Sequence, residues 1–173
     1  MGGRLGLRHV DHFGIAVPSI ADALPLFVDL LGAEFVNGGD DPVLGIRTVQ
    51  LRLPHGVRFE LLQPATPDSY LHGYLDKRGP GFHHVTMMVE DAAAAVRELA
   101  AAGYETVDTD LDGDPHWRQT YVRPRSGHGM LVQVVQSDVD WDVPNPEATL
   151  EGVLAGEFVW AGAGSVRRTP DED

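Results

Sequence analysis

Two stretches of the chain repeat one order of apolar and polar positions. From His12 the run HFGIAV is apolar and β-branched, breaks at Pro18 and Ser19, and gives way to IADALPLFVDLLG, which stops at Gly32. From His84 the run HVTMMV breaks at Glu90 and Asp91 and gives way to AAAAVRELAAAG, which stops at Gly103. Each reads as a strand, a capped helix and a glycine stop. In the second helix Ala92, Ala95, Val96 and Leu99 fall at helical spacing, with Arg97 and Glu98 on the other side. Pro25 lies inside the first helix without an N–H to bond back one turn, which predicts a kink or a late helix start. Further along each half, VRFELLQP (57–64) and MLVQVVQ (130–136) read as strands that follow the turn-rich segments LPHG and RPRSGHG.

The register of this repeat picks out particular side chains. His12 to Glu60 is 48 positions and His84 to Gln133 is 49, so the two halves are offset by 72 and 73. A polar residue with apolar neighbours therefore recurs at His12, Glu60, His84 and Gln133. Taken singly, each has an ordinary explanation: a hydrogen-bonded histidine at a strand start, or the outward position of an alternating strand for Glu60 and Gln133. Recurrence changes the weighing, because two halves folding alike bring four polar side chains to one pseudo-symmetric centre. A carboxylate buried there without counter-charge costs several kcal/mol, and a divalent cation supplies that charge. Next to His84 stands His83, which falls on Asp11 by the same offset and which strand alternation sends to the opposite face.

Composition narrows the chemistry. The chain has 173 residues, with 43% hydrophobic and 23% charged, in the range of a folded globular protein. It has no cysteine, which removes disulfides, thiolate metal sites and cysteine nucleophiles. A net charge of −13 without a basic block argues against nucleic acid and anionic membrane as partners. No apolar run is long enough for a membrane span, and MGGRLGLRH lacks the core of a secretion signal, so a cytoplasmic location is expected.

The blocks HFGIAV, FELLQP, GFHHVTMMVED and GHGMLVQVV, in that order over about residues 9–137, resemble the vicinal oxygen chelate superfamily of glyoxalases, extradiol dioxygenases, methylmalonyl-CoA epimerases and bleomycin-resistance proteins. The resemblance implies an α+β fold of two tandem βαβββ modules whose curved mixed sheets enclose a metal site. It places the first module at 1–64, a linker with a short helix at 65–80 and the second module at 81–137; residues 138–173 lie outside it and read by composition as an acidic extension, disordered in part. It also implies His12, Glu60, His84 and Gln133 as metal ligands, the four that the repeat selects. Two imidazoles, a carboxylate and an amide without sulfur suit one divalent Zn, Co, Ni, Mn or Fe ion. A small-molecule substrate and a homodimer are the further implications.

DHFGIAV, HHVTMMVED and the helix-like PDSYLHGYLDKRG segment look most like the epimerase branch. The sequence departs from that branch at two places: Val43 stands where those proteins carry a glutamate, and Gln133 where their fourth ligand is usually glutamate. Epimerisation needs a proton acceptor on one face of an acidic carbon and a donor on the other, and a glutamine amide cannot take a proton near neutral pH. Glu60 is therefore the leading catalytic base, with His116 in DLDGDPHWRQTY the second titrating group near pH 7. Arg47, Trp117 and Arg118 are candidates to line a substrate pocket, against the alternative of core packing and solvated charge. The expected function is a metal-dependent enzyme that stabilises an enolate-like intermediate during proton transfer on a small oxoacid or acyl thioester. A glyoxalase-like lyase, an extradiol-type dioxygenase and a non-enzymatic binding or resistance protein are the alternatives, and a metal-binding scaffold with decayed catalysis is a further one. The extension offers EATLEGVLAGEFVWAG as a short amphipathic segment, and SVRRTPDED reads as disordered.

Overall fold

The computed structural model describes residues 3–169. The chain forms two compact units, one of the residues up to Phe13 with His83–Val139, the other of Gly14–Phe82 with the residues from Asp140 onward. The strand β1 (Leu7–Ala16) runs through the division, so its two ends serve different units.

In the first unit β1 is followed laterally by β5 (Gly81–Val89), β8 (Leu131–Ser137), β7 (Trp117–Val122) and β6 (Thr106–Asp114). β5 and β8 are parallel, with Thr86 opposite Gln133, and β7 runs antiparallel to β8 with Tyr121 opposite Gln133. Parallel neighbours need a long crossover, and the chain between them supplies α3 (Ala92–Ala101), β6 and β7. Asp91 caps α3 by accepting from the Ala94 N–H, and Gly103 ends it at a φ of 81°, which a side chain rarely adopts. The helix buries Ala92, Ala95 and Leu99, as its spacing predicts, and Ala95 and Leu99 share a core cluster with Val89, Val122 and Val134.

In the second unit the order from the edge inward is β10 (Gly164–Arg167), β9 (Phe158–Ala161), β2 (Glu34–Asp41), β3 (Ile46–Arg52), β4 (Arg58–Pro64) and the end of β1. The helix α1 (Ile20–Leu24) starts on time, with Ser19 accepting from the Asp22 N–H. At Pro25 it does not start late; it widens into a π-helical stretch, Pro25–Leu30. The missing N–H of proline removes one helical bond, and the wider winding closes with the Leu31 N–H donating to the Leu26 carbonyl at 3.0 Å. The linker helix α2 spans Tyr70–Arg78.

The C-terminal segment is built into this second unit. After the helix α4 (Leu150–Leu154), β9 meets β2 in parallel at Val159 and Asp40, and β10 pairs with β9. Ala148, Val153 and Phe158 join Val17, Ile20, Val49, Leu51 and Leu61 in one core cluster. The expectation of disorder over SVRRTPDED is corrected for its first part, because Ser165 to Arg167 form strand with Gly164; residues 170–173 lie outside the described residues. The pairing is held by polar contacts that the sequence does not advertise. Asn145 donates to the Ser165 carbonyl at 3.0 Å, and Ser165 donates to Asn37 Oδ1 at 2.5 Å.

Candidate metal centre

Three of the four repeated polar residues lie in the first unit, and all three are buried: His12 on β1, His84 on β5 and Gln133 on β8. Strand alternation puts His84 and Thr86 on one face of β5, and the parallel register sets Thr86 beside Gln133. The result is a tight polar cluster in an apolar surround. His12 Nε2 lies 3.3 Å from His84 Nε2 and 2.9 Å from Thr86 Oγ1, and Thr86 donates to Gln133 Oε1 at 2.6 Å.

Neighbouring residues fix how each imidazole presents itself. Asp11, buried like His12, places Oδ2 2.6 Å from His12 Nδ1. A carboxylate only accepts, so His12 Nδ1 carries a hydrogen and donates it to Asp11, which leaves Nε2 as the ring atom turned toward His84. On the other histidine, His84 Nδ1 lies 3.0 Å from His83 Nδ1, with the rings edge to face. His83 thus partners the other side of the His84 ring. Burial pushes His84 far below the ordinary histidine range, with the His12 and His83 charges acting in the same direction, and burial alone pulls His83 down to about 4. Near neutral pH both rings are uncharged, the state in which imidazole binds a metal.

Gln133 is held from behind by β7. Its Nε2 donates to Gln119 Oε1 at 2.7 Å and to the Tyr121 hydroxyl at 2.9 Å, and Trp117 Nε1 donates to the same Gln119 oxygen at 2.9 Å. Trp117, Gln119 and Tyr121 alternate along one face of β7, opposite β8. The Nε2 atoms of His12 and His84 and the Gln133 amide oxygen form a donor set that fits a divalent cation of the Zn to Mn group.

Glu60 belongs to the second unit, half-buried on β4 and paired across to Gln50 of β3. Burial first, then the charges of Glu60 and Asp41, push the Tyr70 hydroxyl up. Val43 sits in the turn after β2, 90% exposed, with its N–H donating to Asp41 Oδ1.

The remaining candidates separate clearly. Trp117 enters the Gln133 network, whereas Arg118, one residue on, faces the other side of β7 and buries its Nε without a hydrogen-bond partner among the described residues. One pocket wall cannot hold both. Arg47 is engaged within the second unit: its Nε donates to Asp40 at 2.6 Å and its Nη1 to the Leu154 carbonyl at 2.5 Å, which ties α4 to β2. His116 is at the surface, 60% exposed, with Nδ1 2.9 Å from Asp138. Asp11, Thr86, Gln119 and Tyr121 were not singled out by the repeat. Asp11 and Thr86 carried a signal, as the neighbour of one predicted ligand and the i+2 residue of another; Gln119 and Tyr121 depend on a cross-strand register that no local pattern encodes.

The glyoxalase/bleomycin resistance protein/dioxygenase superfamily matches over residues 11–121. The chain belongs to that superfamily. Ethylmalonyl-CoA/methylmalonyl-CoA epimerase of Cereibacter sphaeroides is 32% identical over 136 residues, 75% of this chain and 98% of that protein. The crystal structure of methylmalonyl-CoA epimerase from Mycobacterium tuberculosis superposes with a TM-score of 0.71 at 29% identity, covering 80% of this chain and 94% of that one. A methylmalonyl-CoA epimerase solved in complex with methylmalonyl-CoA and NH4+ gives a TM-score of 0.68 at 25% identity, covering 81% and 99%. The kinship is with enzymes of the isomerase and epimerase kind, and the α+β fold with its few helices is theirs.

Proposed function

We propose that this protein is a divalent-metal-dependent epimerase acting on an acyl-CoA thioester of the methylmalonyl type. The observation that carries the reading is the pair of buried imidazoles, His12 and His84, whose Nε2 atoms stand 3.3 Å apart with Asp11 bonded behind one and His83 behind the other. Gln133 adds a carbonyl oxygen to this pair, and the register of the repeat adds Glu60. His12, Glu60 and His84 each offer one ligand atom of a kind that holds a divalent ion. When bound, such a cation supplies the positive charge that stabilises an enolate oxygen.

The proton chemistry falls to the chain's own groups. Asp11 engages His12 Nδ1, and a cation held at Nε2 would leave the ring no position from which to act as an acid. The Gln133 amide cannot accept a proton near neutral pH. Glu60 is the acceptor that remains, and its carboxylate takes the proton from the carbon α to the thioester carbonyl. Return of a proton to the opposite face needs a donor other than residue 43, whose side chain is an exposed isopropyl group.

The test is the interconversion of resolved methylmalonyl-CoA epimers, with the glutathione hemithioacetal of methylglyoxal as the competing substrate. Epimerisation should require added divalent metal and fall at least about a hundredfold in His12→Ala and His84→Ala, more than loss of an outer partner would cause. Turnover of the hemithioacetal without epimerisation of the thioester would put the lyase reading in its place.

A further inference from the structure

The polar network behind Gln133 has a direction, and that direction originates at a residue with no place in the ligand set. An indole N–H can only donate. Trp117 Nε1 points at Gln119 at 2.9 Å, so the Gln119 atom facing it must be the carbonyl oxygen. That oxygen accepts only, and Gln133, 2.7 Å away, must meet it with its NH2 group. The Tyr121 hydroxyl takes the second amide hydrogen at 2.9 Å and passes its own proton to Gln119 Oε1 at 3.3 Å. With both N–H bonds committed to β7, the Gln133 oxygen has one way to face, toward Thr86 and His12.

We infer that Trp117 and Gln119 are positioning residues that hold the carbonyl oxygen of Gln133, and not its amide nitrogen, toward the His12–His84 pair. The inference rests on the metal-site reading above for its purpose, though not for its geometry. An amide turned end for end would aim two N–H groups at the pair and could not bind a cation. A glutamate in place of Gln133 would set one carboxylate oxygen against Gln119 Oε1, so this relay selects glutamine at residue 133. Gln119→Glu presents only acceptors whichever way it turns and needs no indole to orient it.

Two readouts test this. The first uses 15N-labelled protein stripped of metal, with the Gln133 side-chain NH2 signals assigned by their loss in Gln133→Glu. Their exchange with solvent should be slower than that of exposed glutamines and should quicken in Gln119→Leu. The second is titration with Co2+ alone. Gln119→Leu should weaken binding about tenfold, the usual scale for a residue behind a ligand. Trp117→Phe, which loses only the N–H, should weaken it by a smaller factor, and adding Gln119→Glu to Trp117→Phe should restore it. Gln133 NH2 exchange as fast as that of exposed glutamines would overturn the inference, as would wild-type Co2+ affinity in both Trp117→Phe and Gln119→Leu. Should wild-type protein bind no Co2+, the metal-site reading fails, and the amide exchange alone decides whether Trp117 and Gln119 orient Gln133.

Discussion

Asp11 and His83 do for the two histidines what β7 does for Gln133, and they do it unequally. One imidazole is backed by a buried carboxylate at 2.6 Å, the other by a neutral ring at 3.0 Å. A carboxylate behind a ligating histidine raises its basicity and fixes its tautomer. Asp11→Asn should therefore weaken cobalt binding about ten- to a hundredfold in a calorimetric titration; unchanged affinity would deny Asp11 this part. The depressed histidines also carry a pH dependence. His83 titrates at about 4 in the folded chain, against about 6.5 when unfolded. Between those values the unfolded state binds more protons, so the stability is complete above about pH 6.5 and drains away as pH falls toward 4. Urea midpoints of metal-stripped protein should drop over that window, and the drop should shrink in His83→Asn. At this scale the sequence is partly transparent: the offset of 72 finds His12 and His84, while Asp11 is marked only by standing next to His12, with nothing to say that its carboxylate turns to the ring.

Elements with strong period were legible and elements made by partners were not. The helix α3 matches its predicted span because alanine and leucine spacing defines a buried face, and β4 and β8 start within one residue of the predicted strands. The π-helical turn from Pro25 to Leu30 escaped because a proline announces a lost bond without saying how the winding compensates. The four-residue strands β9 and β10 escaped because each is too short to show alternation, and the β2 partner that anchors β9 lies more than a hundred positions away. Phe158 anchors this segment, fully buried among Val153, Val49 and Leu51, with Arg167 stacked over its ring at 5.0 Å. Phe158→Ala should cost about 3–5 kcal/mol, visible as a lower urea midpoint. A loss below about 1 kcal/mol, the scale of a surface change, would show that the extension is not part of the second unit's core.

The molecule as a whole combines family kinship with local departures. The superfamily match ends at residue 121 and the relatives cover about three quarters of the chain, yet the C-terminal segment supplies three members of a core cluster. No helix among the described residues is long and apolar enough to cross a membrane. The proposed ligand set holds one carboxylate and one amide, which is why the proposal gives the proton-transferring role to Glu60; Val43 is an exposed turn residue. If a cation at the His12–His84 pair enables α-proton transfer on the thioester, that transfer depends on metal. Deuterium wash-in at the α-carbon of methylmalonyl-CoA in D2O measures it, on protein stripped of metal and then reloaded with Co2+. Incorporation should be absent from the stripped protein, return on reloading at about one Co2+ per chain, and disappear in Glu60→Gln while Co2+ is still bound. Equal incorporation with and without metal, or none after reloading, would contradict the account.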